Sequence, residues 1–186
     1  MNLPNKLTIS RILVVPFFIL FAIRANSTGA EAPHIIAGLI FAAASVTDWL
    51  DGYLARKMKL VSDFGKFADP LADKILTTCA LLYMMQAGVC DPLVLCIIMA
   101  REFAVAGVRM VAAGSSQGKV IAANMWGKVK TVLQMLVILF YYLGGCVIER
   151  AALNSICSIL CWAVAVITAV SGGIYLAENR QIFKSR

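Results

Sequence analysis

The segment that joins the second and third apolar stretches of the chain reads DWLDGYLARKMKLVSDFGKFADPLAD at residues 48–73. In its first half, Asp48, Gly52 and Arg56 are four residues apart, a spacing that places them on one face of a helix. A charged side chain inside a membrane-spanning helix costs at least about 2.5–3.5 kcal/mol near the centre of the bilayer. Several carboxylates are therefore expected there only together with a compensating cation.

The second half of the segment repeats the spacing with Gly65, Asp69 and Asp73, while Asp51 lies beside the first set. A short polar turn makes the two helices antiparallel neighbours, so two carboxylates from each helix can converge near their joined ends. Carboxylate oxygens without histidine or thiolate suit Mg²⁺ or Mn²⁺. The alternative, that these aspartates are helix caps or ion-pair partners, explains any one of them better than it explains four in register.

The composition of the chain is that of a membrane protein. Hydrophobic residues make up 61% of the 186 residues and charged residues 15%, with a mean hydropathy of +0.83; soluble domains are roughly half apolar and a quarter charged. We predict an all-α integral membrane protein, one domain over residues 1–186, with six transmembrane helices of about 20 residues each. The first is expected to be a retained span rather than a signal peptide. The six stretches are 7–23, 33–56, 67–87, 92–112, 126–146 and 152–177.

The basic residues predict the orientation of these spans. Arg24 and Arg150 are the only Lys or Arg residues at the turns after the first, third and fifth spans, and all others except the mid-span Arg101 lie on the opposite side. The positive-inside rule places that side, and both termini, in the cytoplasm. The net charge of +7 then indicates a membrane surface and not nucleic acid. Residues 2–11 are either a short interfacial helix or the start of the first span.

Several other conspicuous residues are expected to be structural. The six cysteines show no C-x-x-C spacing and His34 is the only histidine, which argues against zinc or a redox dithiol. His34 has no partner that the sequence reveals. Met84 and the aromatic run 140–142 are expected to face lipid or the membrane interface.

Basic residues in the fourth and fifth spans indicate where an anionic substrate binds. Arg101 and Arg109 are eight residues apart and share a helix face, and Lys128 and Lys130 begin the next span. Glu102 is expected to point away from Arg101 and not to neutralise it. A basic pocket open to the cytoplasm fits an acceptor that carries its own phosphate. Alternatively, these are ordinary positive-inside residues, and Arg101 pairs with an aspartate.

The segment 48–73 resembles the signature D-x-x-D-G-x-x-A-R-x(8)-G-x-x-x-D-x-x-x-D of the CDP-alcohol phosphatidyltransferase family, and every fixed position matches. The resemblance implies two Mg²⁺ or Mn²⁺ ions, with Asp48 and Asp69 touching both, Asp51 the first and Asp73 the second. Asp73 would also be the general base on the acceptor hydroxyl. It implies further that the cytidine nucleotide of CDP-diacylglycerol is bordered by Asn5, Thr8, Gly52, Ala55, Arg56, Ser62 and Gly65.

The runs at 100–109 and 126–134, together with residues 2–5 and 47–49, resemble the bacterial phosphatidylglycerophosphate synthase subfamily. That resemblance implies sn-glycerol 3-phosphate as the acceptor, bound through Arg101, Arg109, Lys128 and Lys130, with phosphatidylglycerol phosphate and CMP as products. It also implies a homodimer among the lipids of the inner (cytoplasmic) membrane, with its active site facing the cytoplasm. The alternatives are another acceptor (inositol phosphate, serine or phosphatidylglycerol) or, from a different class, a cation transporter with intramembrane carboxylates.

Overall fold

Every regular element that the structure describes is a helix. The computed structural model describes the backbone of residues 3–58, 63–114 and 125–180, and the side chains of residues 13–47, 74–110 and 125–180. A short 3₁₀ turn, Gly144–Cys146, follows the fifth helix. The α-helices are α1 Leu3–Thr28, α2 Glu31–Met58, α3 Asp63–Gln86, α4 Pro92–Gly114, α5 Met125–Leu143 and α6 Arg150–Glu178.

Each apolar stretch that the sequence predicts to be a span coincides with one of these helices. Among the described residues, two helices are long and apolar enough to cross a bilayer. They are α5 with its 3₁₀ turn, and α6. In α1 and α2, the parts whose side chains are described form the shorter apolar segments Leu13–Thr28 and Glu31–Thr47. The regular structure of the described residues is therefore entirely helical, which is consistent with the membrane protein that the composition predicts. Since α1 runs without interruption from Leu3, residues 3–11 are part of α1 and do not form a separate helix.

Two glycines close the tight turns at one end of the helix bundle. Gly29 joins α1 to α2 with φ +64°, and Gly88 lies between α3 and α4 with φ +75°. This left-handed backbone region is open to glycine without steric cost. The Gly29 amide donates to the Ala25 carbonyl at 3.0 Å, which ends α1. These short turns make α1 and α2, and likewise α3 and α4, antiparallel neighbours.

The main core takes buried side chains from all six helices. The ring of Phe18 meets the ring of Tyr142 edge to face, with centroids 5.4 Å apart, and Met84 is fully buried. Tyr141 and Tyr142 are each only 1% exposed. The expectation that Met84 and the aromatic run face lipid was therefore wrong for these three residues. A helix that is apolar all round does not reveal in its sequence which face packs against its neighbours.

A polar network joins α2 to the start of α6. Arg150 forms a bidentate ion pair with Glu31 and donates to the Tyr141 carbonyl at 3.1 Å. His34 is buried beside this network, with Nδ1 at 2.9 Å from the Ala30 carbonyl and its ring edge-on to Tyr141. The histidine thus has partners that the sequence did not reveal. The network holds the α5–α6 connection against α2.

Candidate functional site

The predicted metal and nucleotide residues occupy the joined ends of α2 and α3, together with the start of α1. Their side chains lie outside the described residues, and Ser62 lies outside entirely. Among the side chains that are described, no group of three or more His, Cys, Asp or Glu could hold a metal ion. The convergence of the carboxylates therefore stays a prediction. In the helices, α1 contains Asn5 and Thr8; α2 contains Asp48, Asp51, Gly52, Ala55 and Arg56; and α3 contains Gly65, Asp69 and Asp73.

Immediately beyond Asp73, three cations from three helices surround one carboxylate. We call Lys74 of α3, Arg101 of α4 and Lys130 of α5 the basic cluster. Glu102 Oε1 lies 2.6 Å from Lys130 Nζ and 3.2 Å from Arg101 Nη1. Glu102 Oε2 lies 3.1 Å from Lys74 Nζ. The Lys130 side chain is buried, at 2% exposure for the residue, so its ammonium group depends on this counter-charge.

The pairing of Arg101 with Glu102 corrects the expectation that these neighbours point apart. Consecutive residues leave a helix about 100° apart, but the long arginine side chain reaches back to the carboxylate. The position of Glu102 did indicate an ion pair, because an acidic residue within an apolar span requires a cationic partner. Lys74 and Glu102 are the two members of this site that the sequence reasoning did not assign.

Arg101 passes through a slot between α5 and α6 that two glycines leave open. A Cβ atom at Gly172 would lie 2.8 Å from Arg101 Cγ, and one at Gly127 would lie 2.9 Å from Arg101 Nη2. Arg101 Nε is buried and finds no hydrogen-bond partner among the described residues. The guanidinium group therefore keeps a donor for which the described part of the protein supplies no acceptor.

The other two predicted acceptor residues lie apart from the basic cluster. Arg109 is about 12 Å further along α4 than Arg101. There its Nε donates to the Tyr175 hydroxyl at 3.4 Å, and its guanidinium carbon lies 5.7 Å from the centre of the Tyr175 ring. Lys128 is exposed near the start of α5. Of the four residues predicted to bind the acceptor, the structure thus brings together Arg101 and Lys130. Arg109 instead contacts Tyr175 of α6.

A cavity of about 250 Å³ between α3, α4 and α5 borders the basic cluster. Lys74, Glu102 and Lys130 form its charged part, and apolar side chains such as Ile98 and Phe103 form much of the remaining wall. Gln134, one helical turn beyond Lys130, also lines it, and its buried Oε1 has no hydrogen-bond partner among the described residues. The cavity therefore combines a cationic part with an apolar wall, which suits an amphiphilic or small anionic ligand.

These features describe a bundle of helices with a cluster of net positive charge between them. Three cations and one carboxylate leave the cluster two positive charges. Such a site matches a phosphate group, which ammonium and guanidinium donors bind strongly. Residues 1–171 match the sequence model of the CDP-alcohol phosphatidyltransferase family. The chain belongs to this family.

Curated relatives are similar to the chain over nearly its whole length. A Bacillus subtilis (strain 168) protein is 38% identical, with 99% of this chain and 98% of the relative aligned. A Rickettsia felis protein is 36% identical, covering 98% of this chain and 97% of its own. A Haemophilus influenzae protein is 36% identical, covering 91% and 88%. Each is named CDP-diacylglycerol–glycerol-3-phosphate 3-phosphatidyltransferase.

Proposed function

We propose that this protein transfers the phosphatidyl group of CDP-diacylglycerol to sn-glycerol 3-phosphate, with phosphatidylglycerol phosphate and CMP as products. The basic cluster carries the choice of acceptor. Its two net positive charges lie in a site that is largely buried, where an uncharged acceptor would leave them without a counter-charge. The names of the relatives agree with this acceptor.

The acceptor phosphate binds at Arg101 and Lys130, with Lys74 beside them. Arg101 contributes its unpartnered Nε, and Lys130 has further N–H donors besides the one directed at Glu102. Arg109 and Lys128 lie outside this contact, and we assign them to the approach of the anion from the cytoplasm. The phosphate end of the acceptor is thereby held next to the part of α3 that contains Asp73.

The chemistry of the aspartates fits a pair of divalent cations. Asp48, Asp51, Asp69 and Asp73 supply only carboxylate oxygens, the donors that Mg²⁺ and Mn²⁺ prefer, and they occupy the joined ends of two consecutive helices. These carboxylates would hold the two ions, which when bound would supply positive charge to offset that of the pyrophosphate. The nucleotide would be held by Asn5, Thr8, Gly52, Ala55, Arg56, Ser62 and Gly65.

The transfer itself requires one proton acceptor, which we assign to Asp73. The Asp73 carboxylate removes the proton of the acceptor hydroxyl. The oxygen of that hydroxyl then bonds to the phosphorus of the phosphatidyl group, and the bond from this phosphorus to CMP breaks. Because Asp73 directly precedes Lys74 in α3, a phosphate at the basic cluster keeps the acceptor beside the general base.

The proposal includes an arrangement in the membrane. Residues 1–186 form one membrane domain whose six helices all cross the bilayer, with both termini and the active site at the cytoplasmic face of the inner membrane. The basic residues support this orientation, since nearly all lie on one side of the predicted spans. The lipid chains of the donor then stay in the bilayer while the water-soluble acceptor arrives from the cytoplasm. We also propose a homodimer, as the family resemblance implies.

The direct test is a comparison of acceptors with the purified protein. CMP release from CDP-diacylglycerol in mixed micelles with Mg²⁺ is measured with sn-glycerol 3-phosphate, glycerol, serine, inositol phosphate or phosphatidylglycerol. Glycerol is the matched control, because it lacks only the phosphate. We expect glycerol 3-phosphate to react at least about tenfold faster, as each hydrogen bond to a charged group contributes about 1.5–3 kcal/mol. CMP release with glycerol 3-phosphate no faster than with water would refute the proposal.

Removal of metal tests the role of the aspartates separately. EDTA is expected to abolish CMP release, and excess Mg²⁺ or Mn²⁺ to restore it, because the carboxylates cannot bind the pyrophosphate without cations. Full turnover with EDTA present would contradict the metal assignment and leave the choice of acceptor standing.

A further inference from the structure

We infer that Glu102 is a positioning residue, which holds Lys130 and Arg101 in place for the phosphate of the acceptor. This inference rests on the proposed function and assigns a role within the same site. Glu102 itself, an anion, would not bind the phosphate. It acts through the cations around it.

The geometry places Glu102 at the centre of the basic cluster. Both carboxylate oxygens are engaged, Oε1 by Lys130 and Arg101 and Oε2 by Lys74. The three cations come from α3, α4 and α5, so this one carboxylate joins the three helices that line the cavity. Among the described side chains, no other acidic group forms an ion pair with these cations.

Burial makes the carboxylate necessary for Lys130. A buried ammonium without a counter-charge loses its hydration and gains nothing in return. The Lys130–Glu102 contact, at 2.6 Å, supplies that counter-charge and also fixes the position of Nζ. Without the negative charge, three positive groups would repel one another across a small volume, and the lysine side chain would leave its present position.

The charge of the cluster is also adjusted by Glu102. With the carboxylate, the cluster has two net positive charges, which balance a phosphate monoester carrying about −1.5 to −2 at neutral pH. Arg101 Nε has no hydrogen-bond partner among the described residues, and the Lys130 ammonium group has three N–H donors, one of which is directed at Glu102. Glu102 thus leaves donors for the substrate while it orients the groups that bear them.

A competing interpretation makes the opposite prediction for the acceptor. If Glu102 only occupies the place of the phosphate, its neutralisation would lower the acceptor KM, because the anion would no longer compete with the carboxylate. If Glu102 positions the cations, its neutralisation raises the acceptor KM, because Lys130 and Arg101 lose their orientation. The sign of the change separates the two interpretations.

The experiment measures steady-state kinetics for Glu102→Gln, Glu102→Asp and the control Glu149→Gln in the purified full-length protein with Mg²⁺. Glu149 is exposed and lies just before α6, at the other end of the bundle. We expect Glu102→Gln to raise the acceptor KM about tenfold or more, the usual effect of leaving a charged group unpaired. The donor KM should change less than about twofold, and Glu149→Gln should change neither KM.

A double-mutant cycle with Lys130→Met distinguishes positioning from a general loss of structure. If Glu102 acts through Lys130, adding Glu102→Gln to Lys130→Met costs little further kcat/KM for the acceptor, whereas independent effects multiply. Glu102→Asp keeps the charge but shortens its reach, and is expected to fall between wild type and Glu102→Gln. It also serves as the test variant if Glu102→Gln does not fold.

Each result bears on one proposal. An unchanged or lowered acceptor KM in Glu102→Gln, or in Glu102→Asp if only that variant folds, would overturn the positioning role while wild-type activity with glycerol 3-phosphate upholds the proposed function. Multiplicative effects in the double variant would also overturn it. Wild-type protein that releases CMP no faster with glycerol 3-phosphate than with water would instead refute the proposed function.

Discussion

A methyl group added at Gly172 of α6 would collide with Arg101. A Cβ atom at this position would lie 2.8 Å from Arg101 Cγ and 3.6 Å from Arg101 Cβ. Nonbonded carbon atoms rest about 3.5–4.0 Å apart, so the distance to Cγ falls short by about 0.7 Å. Because Cγ is only two bonds from the backbone of α4, the arginine cannot avoid the methyl group by moving its far end alone.

The displacement is expected to reach the acceptor site. Either α6 moves away from α4, or the Arg101 side chain changes rotamer and shifts its guanidinium group. Overpacking of this kind costs about 1–3 kcal/mol, and a misplacement of about 1 Å in a binding group can reduce the rate about a hundredfold. For Gly172→Ala we therefore expect kcat/KM for glycerol 3-phosphate to fall about ten- to a hundredfold.

Two further glycines provide matched controls. Gly173 follows Gly172 in α6, is exposed and would place its Cβ in open space. Gly172→Ala and Gly173→Ala gain the same helix stabilisation, about 0.5–1 kcal/mol. The difference in activity between these two variants therefore isolates the collision with Arg101. Gly127→Ala would meet only Nη2, at the far end of the side chain, and a smaller loss of activity is expected.

The assay is CMP release from CDP-diacylglycerol at varied acceptor concentration, with thermal unfolding of each variant in the same detergent. Gly173→Ala should match wild type in both measurements. If Gly172→Ala retained the wild-type acceptor kcat/KM, the assignment of Arg101 to the acceptor would be wrong. Equal losses in Gly172→Ala and Gly173→Ala would show that the effect comes from the helix and not from Arg101.

Four substitutions test other parts of the protein. Asp73→Asn should abolish CMP release while largely preserving donor binding, measured by a CDP-diacylglycerol binding assay; near-normal turnover would contradict its role as general base. Arg109→Ala should raise mainly the acceptor KM, whereas Tyr175→Phe, which removes only the hydroxyl that accepts the Arg109 Nε hydrogen bond, should have a much smaller effect; an unchanged KM in Arg109→Ala would exclude a role in the approach of the acceptor. Arg150→Ala removes the ion pair with Glu31 and should lower the free energy of unfolding by about 1–3 kcal/mol with kcat/KM unchanged; a loss of activity without a lower Tm would contradict a purely structural role.

The helices could be predicted from local properties of the chain. The apolar stretch at 92–112, for example, corresponds to α4, Pro92–Gly114, because both the apolar length and the flanking turn residues are visible in a short window. The resemblance of the segment 48–73 to a family signature also depends only on residue types at fixed spacing, and the match over residues 1–171 confirmed the family.

The faces of those helices were harder to predict. Tyr142 looked like an interfacial residue, yet its ring packs against Phe18 in the core. By residue type alone, an aromatic side chain in an apolar helix suits a lipid-facing position and a buried position equally well. Only the packing of α5 against its neighbours determines which of the two the residue meets.

The basic cluster shows the same division between local and long-range information. The charges of Arg101 and Lys130 were evident in the chain, and the depth of Arg101 in an apolar span indicated a functional role for it. Their common partner Glu102, the contribution of Lys74 from α3, and the slot left by Gly127 and Gly172 were not evident. These contacts join residues of four helices that are far apart in the chain, and spacing within one helix carries no information about them. They exist because α3, α4, α5 and α6 pack so that the cations meet one partly buried carboxylate, and burial of Lys130 without that carboxylate would be too costly.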